Sequence, residues 1–551
     1  MTSKRLGVVR IDETGRVRAM SRWRIEVLLG VVAVTVAIAL LGSDGLLRSL
    51  WPAAVAFVGI LVLREAAVGL ACGVAAAAML VAGGNPIEAV RLAMVDHVFP
   101  AMQGPWRIGA LVFTLLIGAF AGVLEASGAF EGVMRRMMKR GKESSKHLLT
   151  AVFGVGLLCF FDGLASSLLA GRVARPLVDR AGISRERLAW VVDSTGSPVA
   201  CVAFVSTWIA TQLSLIQQGL EGAAFPAEPY AMFFRSVVAN PYCLLTLWLV
   251  IVAIRSEYQP RAMRKFGPNQ HEATAETQAS GDAPLWVVVV PLLVLVGSIL
   301  AGFVWFAGEP VNPLTLDGWR RAFGGSGGPY ALVFGSLLAW LVALAVFPAS
   351  RRSEAMRASA HGASALLPAL MVLIAAWTLG SLFEALGTTK HVSELLGSGV
   401  GAKWMPLLVF LTGSAMAFTT GSSWATMGLL MPLALPATLA ASADLPMTEA
   451  QAIAAMVIGA VFGGATLGDH CSPFSDTTIV SAVASGCRTI DHVLSQLPFA
   501  GMTAGISALA YAAMALGVAP WLTLLAGAGL VLGAVCLLRH LLEREKSDQT
   551  C

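Results

Sequence analysis

Four aspartates stand in stretches of sequence that are otherwise apolar: Asp162, Asp193, Asp469 and Asp476. An ionised Asp at the centre of a bilayer costs about 2.5–3.5 kcal/mol on insertion scales, so residues of this kind normally face a cavity and hold something there. Asp469 and Asp476 share their stretch with Ser472, Ser475, Thr477 and Thr478, and Asp193 is followed by Ser194 and Thr195. Carboxylates among hydroxyls form an all-oxygen donor set, the set that a hard cation such as sodium prefers. Backbone carbonyls released by an interrupted helix would complete it, and Pro198 and Pro473 beside the acids each remove a backbone donor and disturb the preceding turn. Burial also disfavours the charged carboxylate, so a proton competes with the cation and one acid can serve both ions.

Three further groups could join this chemistry. Thr420, Ser422 and Ser423 interrupt the second apolar half with hydroxyls. His470, next to Asp469, either senses pH or orients its neighbour from a helix end. His470 with Cys471 makes a weak soft-metal signal, because no second Cys/His pair follows at a recognised spacing. Arg172 and Arg175 mark the cytoplasmic end of a hairpin in one reading and are a candidate anion contact in the other, since guanidinium binds carboxylate in bidentate fashion.

The elements that position these residues are membrane helices. Of 551 residues, 56% are hydrophobic and 13% charged, against roughly 25% charged in a soluble domain. Apolar runs of the roughly 17–25 residues needed to cross a bilayer recur from end to end. The net charge of +5 is spread over short loops between apolar runs, which argues against a nucleic-acid partner and leaves membrane lipid as the surrounding medium. No Walker-type loop occurs, so ATP drive is not indicated, and the H-E-x-x-H pattern of a metallohydrolase is absent.

Basic loops alternate with loops poor in Lys and Arg, which places both termini in the cytoplasm. The expected organisation is a cytoplasmic tail at 1–24, a first membrane half at 25–254 with a re-entrant hairpin at 148–176 and a broken helix at 189–215, and a cytoplasmic linker at 255–283. A second half follows at 284–538, with a hairpin at 404–440 and a broken helix at 447–487, and then a cytoplasmic tail at 539–551. The two halves resemble each other: Ser197-Pro198 can be laid on Ser472-Pro473, and Val205-Ser206 on Val480-Ser481. An odd number of spans between the copies would turn the second upside down, and inverted repeats with Gly/Pro-interrupted segments point to a transporter site near the midplane.

The run Phe462-Gly-Gly-Ala-Thr-Leu-Gly-Asp-His-Cys-Ser-Pro-Phe-Ser-Asp-Thr-Thr-Ile-Val-Ser481 resembles the signature of the NhaC family of sodium/proton antiporters, within the ion transporter superfamily. Asp193-Ser-Thr195 with Ser197-Pro198, Thr420-Gly-Ser-Ser-Trp424, and Asp491-His492-Val with Gln496-Leu-Pro498 are similar to that family as well. The resemblance implies an all-α polytopic fold with two inverted-topology repeats, re-entrant hairpins and broken helices, a transport domain moving against a static scaffold, and a homodimer. It implies sodium/proton antiport in a bacterial inner membrane, with sodium ions and protons as substrates, sodium held at Asp469 and Asp476, no other cofactor and no enzymatic activity. Relatives that exchange organic acids such as malate and lactate make a sodium-coupled organic-acid or amino-acid exchanger the alternative. Gly196 stands where the family usually has Ala.

Overall fold

A computed structural model describes residues 5–6, 9–11, 17–18, 22–42, 45–128, 144–221, 223, 228–267, 284–399 and 401–550. Residues 268–283 of the expected linker, 129–143 of one basic loop and most of the expected N-terminal tail lie outside these. Among the described residues the chain is helical apart from a small antiparallel ribbon of Arg5–Leu6, Val9–Ile11 and Val17–Arg18. Ten of its helices are long and apolar enough to cross a membrane, or twelve if each of two bent pairs is counted as one span. This is a polytopic all-α membrane protein of two inverted repeats, each with a hairpin and a broken helix.

In the first repeat the hairpin arms are Ser145–Leu158 and Gly163–Arg180, and the broken helix is Arg185–Val202 followed by Ile209–Gly219. In the second, the arms are Met405–Thr420 and Ser423–Ala441, and the broken helix is Met447–Cys471 followed by Asp476–Ser485. Each hairpin tip meets the break of its own repeat. The Thr207 amide donates to the Phe161 carbonyl at 2.8 Å. At the other tip Gly421 turns with φ +68°, a conformation that favours glycine, and a Cβ there would lie 2.7 Å from the Phe474 carbonyl carbon.

The repeats also interlock. A Cβ on Gly171 of the first hairpin would come within 2.6 Å of the Ala484 Cβ, on the distal half of the second broken helix. Gly219, on the distal half of the first broken helix, lies as tightly against Leu435 of the second hairpin, where a Cβ would come within 2.7 Å. The returning arm of each hairpin therefore packs on the other repeat's distal half-helix, as a two-fold axis in the membrane plane requires. Close approach through small residues is how helices associate in lipid, where no hydrophobic force drives them together.

Around this module stand helices joined in the same way. Trp286–Trp305 packs on Gly328–Val346, Pro105–Ala126 on Arg352–Ala365, and Leu46–Leu63 on Ala66–Val81. These peripheral helices show bare apolar faces outward, with Leu293, Leu341 and Leu47 all exposed, as a surface solvated by lipid tails should. The contrast lies inside. Every residue from Arg185 to Cys201 is buried, including Asp193, Ser194, Thr195 and Ser197. A helix this polar and this enclosed is retained for what it binds.

One expectation is corrected here. The repeat alignment put Pro198 at the first break, as the counterpart of Pro473. Pro198 instead lies inside the helix Arg185–Val202, and the break comes after it, at 203–208. The backbone gives the true register: Ala203 and Ser472 are the matching helix ends, at φ −70°, ψ 131° and φ −80°, ψ 130°. Ala200 is then the counterpart of Asp469.

Candidate functional site

The site forms where the helix Arg185–Val202 passes the second break. Pro473 has no amide hydrogen, so the Asp469 carbonyl four residues back loses its helical donor. Thr478 Oγ1 donates to that oxygen in its place at 2.9 Å. One position on, the Phe474 amide donates to Ser472 Oγ at 3.2 Å, and the His470 carbonyl accepts from Gln496 Nε2. The break thus turns helical hydrogen bonds into side-chain ones, and the chain after it curls back over Asp469.

Asp469 is buried and surrounded by hydroxyls. Its Oδ1 accepts from Ser475 Oγ at 2.5 Å, and its Oδ2 accepts from Ser197 Oγ and Thr477 Oγ1, each at 3.0 Å. Ser475 and Thr477 are themselves within 3.0 Å of each other. Every side-chain group bonded to this carboxylate is an oxygen that can rotate its hydrogen away and offer a lone pair.

Asp193, one turn before Ser197, has different company. Its Oδ2 meets His492 Nε2 at 3.1 Å, Gln496 Nε2 at 3.0 Å and Thr478 Oγ1 at 3.4 Å, while Oδ1 accepts from Ser481 Oγ at 3.3 Å. His492 and Gln496 are four residues apart on Thr489–Ala515 and so share one face of it. Thr478 touches both the Asp193 carboxylate and the Asp469 carbonyl, which links the two acids.

The His470 ring bonds neither carboxylate. Its Nε2 pairs with Ser194 Oγ at 3.0 Å and its Nδ1 with Tyr242 OH at 2.8 Å. Both ring nitrogens are engaged, and among the described residues no three His, Cys, Asp or Glu side chains converge as a metal site. Ser194, Thr478 and Ser475 thus fall within the cluster that the sequence proposed, and Ser472 serves by capping the turn.

Other candidates lie elsewhere. Asp476 opens the helix Asp476–Ser485 and is exposed, so the sequence's pairing of it with Asp469 as a buried couple is corrected. The two would share a face in a continuous helix, but the break at 472–475 removes that relation. Asp162 is buried in the turn of the first hairpin. Thr195 donates to the Val191 carbonyl at 2.9 Å and packs against Gly156 of that hairpin. Gly156 and Gly196 both leave room here: a Cβ on Gly196 would lie 2.7 Å from Ser167 Oγ. Thr420 and Ser422 cap the second hairpin tip, with Ser422 Oγ accepting from the Ala425 amide at 3.2 Å and Thr420 Oγ1 donating to the Met416 carbonyl at 2.8 Å, and Ser423 is buried behind them. Arg172 is exposed on the first hairpin's returning arm, and the Arg175 guanidinium lies over Gly486 at the far end of the second broken helix.

Sequence reasoning left Ser197, Tyr242, Ser481, His492 and Gln496 out of the site. The four-residue spacing of His492 and Gln496, polar on an apolar helix, was the available signal.

Comparison with known proteins follows the same line. The profile of the Na+/H+ antiporter family matches residues 199–516, more than half of the chain. An uncharacterised protein of Haemophilus influenzae is 27% identical over 480 residues, covering 84% of this chain and 90% of that protein. An uncharacterised Na+/H+ antiporter of the same organism is 25% identical over 127 residues, 23% of this chain and 25% of its own length. Among solved structures, the YdaH transporter of Alcanivorax borkumensis, which has an unusual topology, superposes with a TM-score of 0.51 at 16% identity, over 79% of this chain and 90% of that one. That likeness is one of fold.

Proposed function

The chain belongs to the Na+/H+ antiporter family, and from that premise we propose that it exchanges sodium ions for protons by alternating access, with Asp469 as the carboxylate that holds sodium. It is a multi-pass membrane protein, and we read its membrane as a bacterial inner membrane with both termini in the cytoplasm. The observation that carries the proposal is the all-hydroxyl shell of Asp469 at the second break.

Without a cation, Ser197, Ser475 and Thr477 donate to the carboxylate and stabilise its charge in a medium that would otherwise expel it. When sodium arrives, the hydroxyls rotate and turn lone pairs to it, so the same side chains serve both states with little rearrangement. Protons enter through charge. Ser197 joins Asp469 to the helix of Asp193 only four residues on, roughly 6 Å of helical rise. At an effective dielectric of about 20, unit charges at that separation interact by about 3 kcal/mol. Sodium at Asp469 therefore favours release of a proton from the core, and a returning proton favours release of sodium. Moving across the membrane with neither ion bound leaves buried negative charge uncompensated, which couples the two fluxes.

An organic-anion exchanger would need a cationic partner at the site, and Arg172 and Arg175 lie away from it. Reconstitution in proteoliposomes tests the reading. A sodium jump with no organic substrate drives protons the opposite way in the wild type and leaves Asp469→Asn at background. Equal flux in both would remove Asp469 from the site.

A further inference from the structure

We propose that the Asp193–His492 pair carries the exchanged proton and that Glu186 connects it to the aqueous face at the start of its helix, leaving Asp469 to sodium. This rests on the antiport reading and assigns its two ions to different carboxylates.

The donor sets separate the acids. Asp469 meets only rotatable hydroxyls, whereas Asp193 faces two nitrogen groups, the His492 imidazole and the Gln496 amide, both on Oδ2. An amide N–H cannot turn a lone pair to a cation, and an imidazolium repels one. The same imidazole is suited to accept and return a proton.

The route outward is marked by two buried atoms that lack a protein partner. One is His492 Nδ1, on the side of the ring away from Asp193, and the other is Glu186 Oε2. Glu186 precedes Asp193 by seven residues, two helical turns or roughly 10 Å along the same face of Arg185–Val202. It lies in that helix's first turn and is close enough to His492 and Asp491 to interact electrostatically with both. Asp491 lies in the first turn of the helix that carries His492 and is partly exposed, paired with Arg488 at 3.7 Å. Two buried polar atoms without protein partners are where a bound water belongs.

The surrounding charges are committed elsewhere. Arg185 is held by both oxygens of Asp179, at 2.9 Å each, and by the Gly486 carbonyl. Ser481 donates to Asp193, Thr478 donates to the Asp469 carbonyl beside it, and His470 is bound by Ser194 and Tyr242. Arg187, which interacts electrostatically with Glu257, and Cys487 are further ionisable groups near this end, and Arg175 lies over Gly486.

The step balances. The Asp193 carboxyl O–H breaks and its proton bonds to His492 Nε2, while the Nδ1 proton leaves through water to the Glu186 carboxylate. The imidazole remains neutral, Asp193 becomes an anion, and Glu186 passes the proton to bulk water.

The test uses the full-length protein in proteoliposomes, with Glu186→Gln and His492→Gln assayed in two modes: sodium–proton exchange and exchange of labelled for unlabelled sodium. Glu186→Gln is expected to slow sodium–proton exchange by about 100-fold, the lower end of what a positioned proton-transfer group contributes, while sodium–sodium exchange stays at the wild-type rate. His492→Gln is expected to bind sodium without releasing a proton. Wild-type sodium–proton exchange in Glu186→Gln overturns the proposal, as does equal loss of both modes in that variant. A wild type that moves no protons in response to sodium overturns the antiport reading itself, and the proton assignment with it.

Discussion

The two breaks share a backbone and differ in chemistry. At the first, Ser206 Oγ donates to the Ala200 carbonyl at 2.8 Å and accepts from the Trp208 and Ile209 amides at 3.2 Å, and Gln212 Nε2 donates to the Cys201 carbonyl at 3.1 Å. Ala200 stands in the position that Asp469 holds in the other repeat. At the second break the same loss of helical bonds is met by Thr478 and Gln496, and a carboxylate with three hydroxyls occupies the turn. The two repeats each have an interrupted helix, and of the two compared positions only that of the second carries a carboxylate. The first repeat contributes the half-helix before its break, Arg185–Val202, whose Asp193, Ser194 and Ser197 bond to groups of the second repeat from one side.

That comparison can be broken in order of effect. Asp469→Asn should abolish exchange outright. Ser475→Ala removes a hydrogen bond to the buried Asp469 carboxylate and, on the proposed reading, an oxygen donor for sodium, and should raise the sodium concentration for half-maximal exchange about 10-fold, equivalent to about 1.4 kcal/mol. Asp476→Asn should lower the exchange rate by no more than about threefold, the size of a favourable charge at a helix N-terminus. If it matched Asp469→Asn, the separation of these two residues by the break would be wrong. Ser206→Ala should cost about 1 kcal/mol of stability, as loss of a capping hydroxyl does, and leave sodium dependence unchanged. A large change in sodium affinity there would mean that the first break also holds cation.

Much of this was legible in the sequence because lipid makes it so. An acid in an apolar run is conspicuous, and Ser472, Pro473 and Ser475 together signal a turn that needs new hydrogen-bond donors. The first hairpin was legible because the residues between the basic loops at Lys146 and Arg172 were too few to cross twice, and the second because Thr420, Gly421, Ser422 and Ser423 interrupt an apolar run. What could not be read was pairing at long range. Asp193 and His492 are separated by almost three hundred residues, and no local pattern says that they meet. The misplaced first break has a simpler cause. Proline marks a lost hydrogen bond, and a helix can continue past one: Pro198 leaves the Ser194 carbonyl without its helical donor while the helix runs on to Val202. The exposure of Asp476 escaped the sequence because side-chain direction after a break is set by the break's geometry.

The most direct test of a sodium seat at Asp469, coupled by charge to a proton nearby, is calorimetry of sodium binding to the purified protein in buffers of different ionisation enthalpy, which counts the protons released. The wild type should bind sodium and release protons in a pH-dependent ratio, while Asp469→Asn binds none. Sodium binding without proton release in the wild type, or undiminished binding in Asp469→Asn, would contradict it.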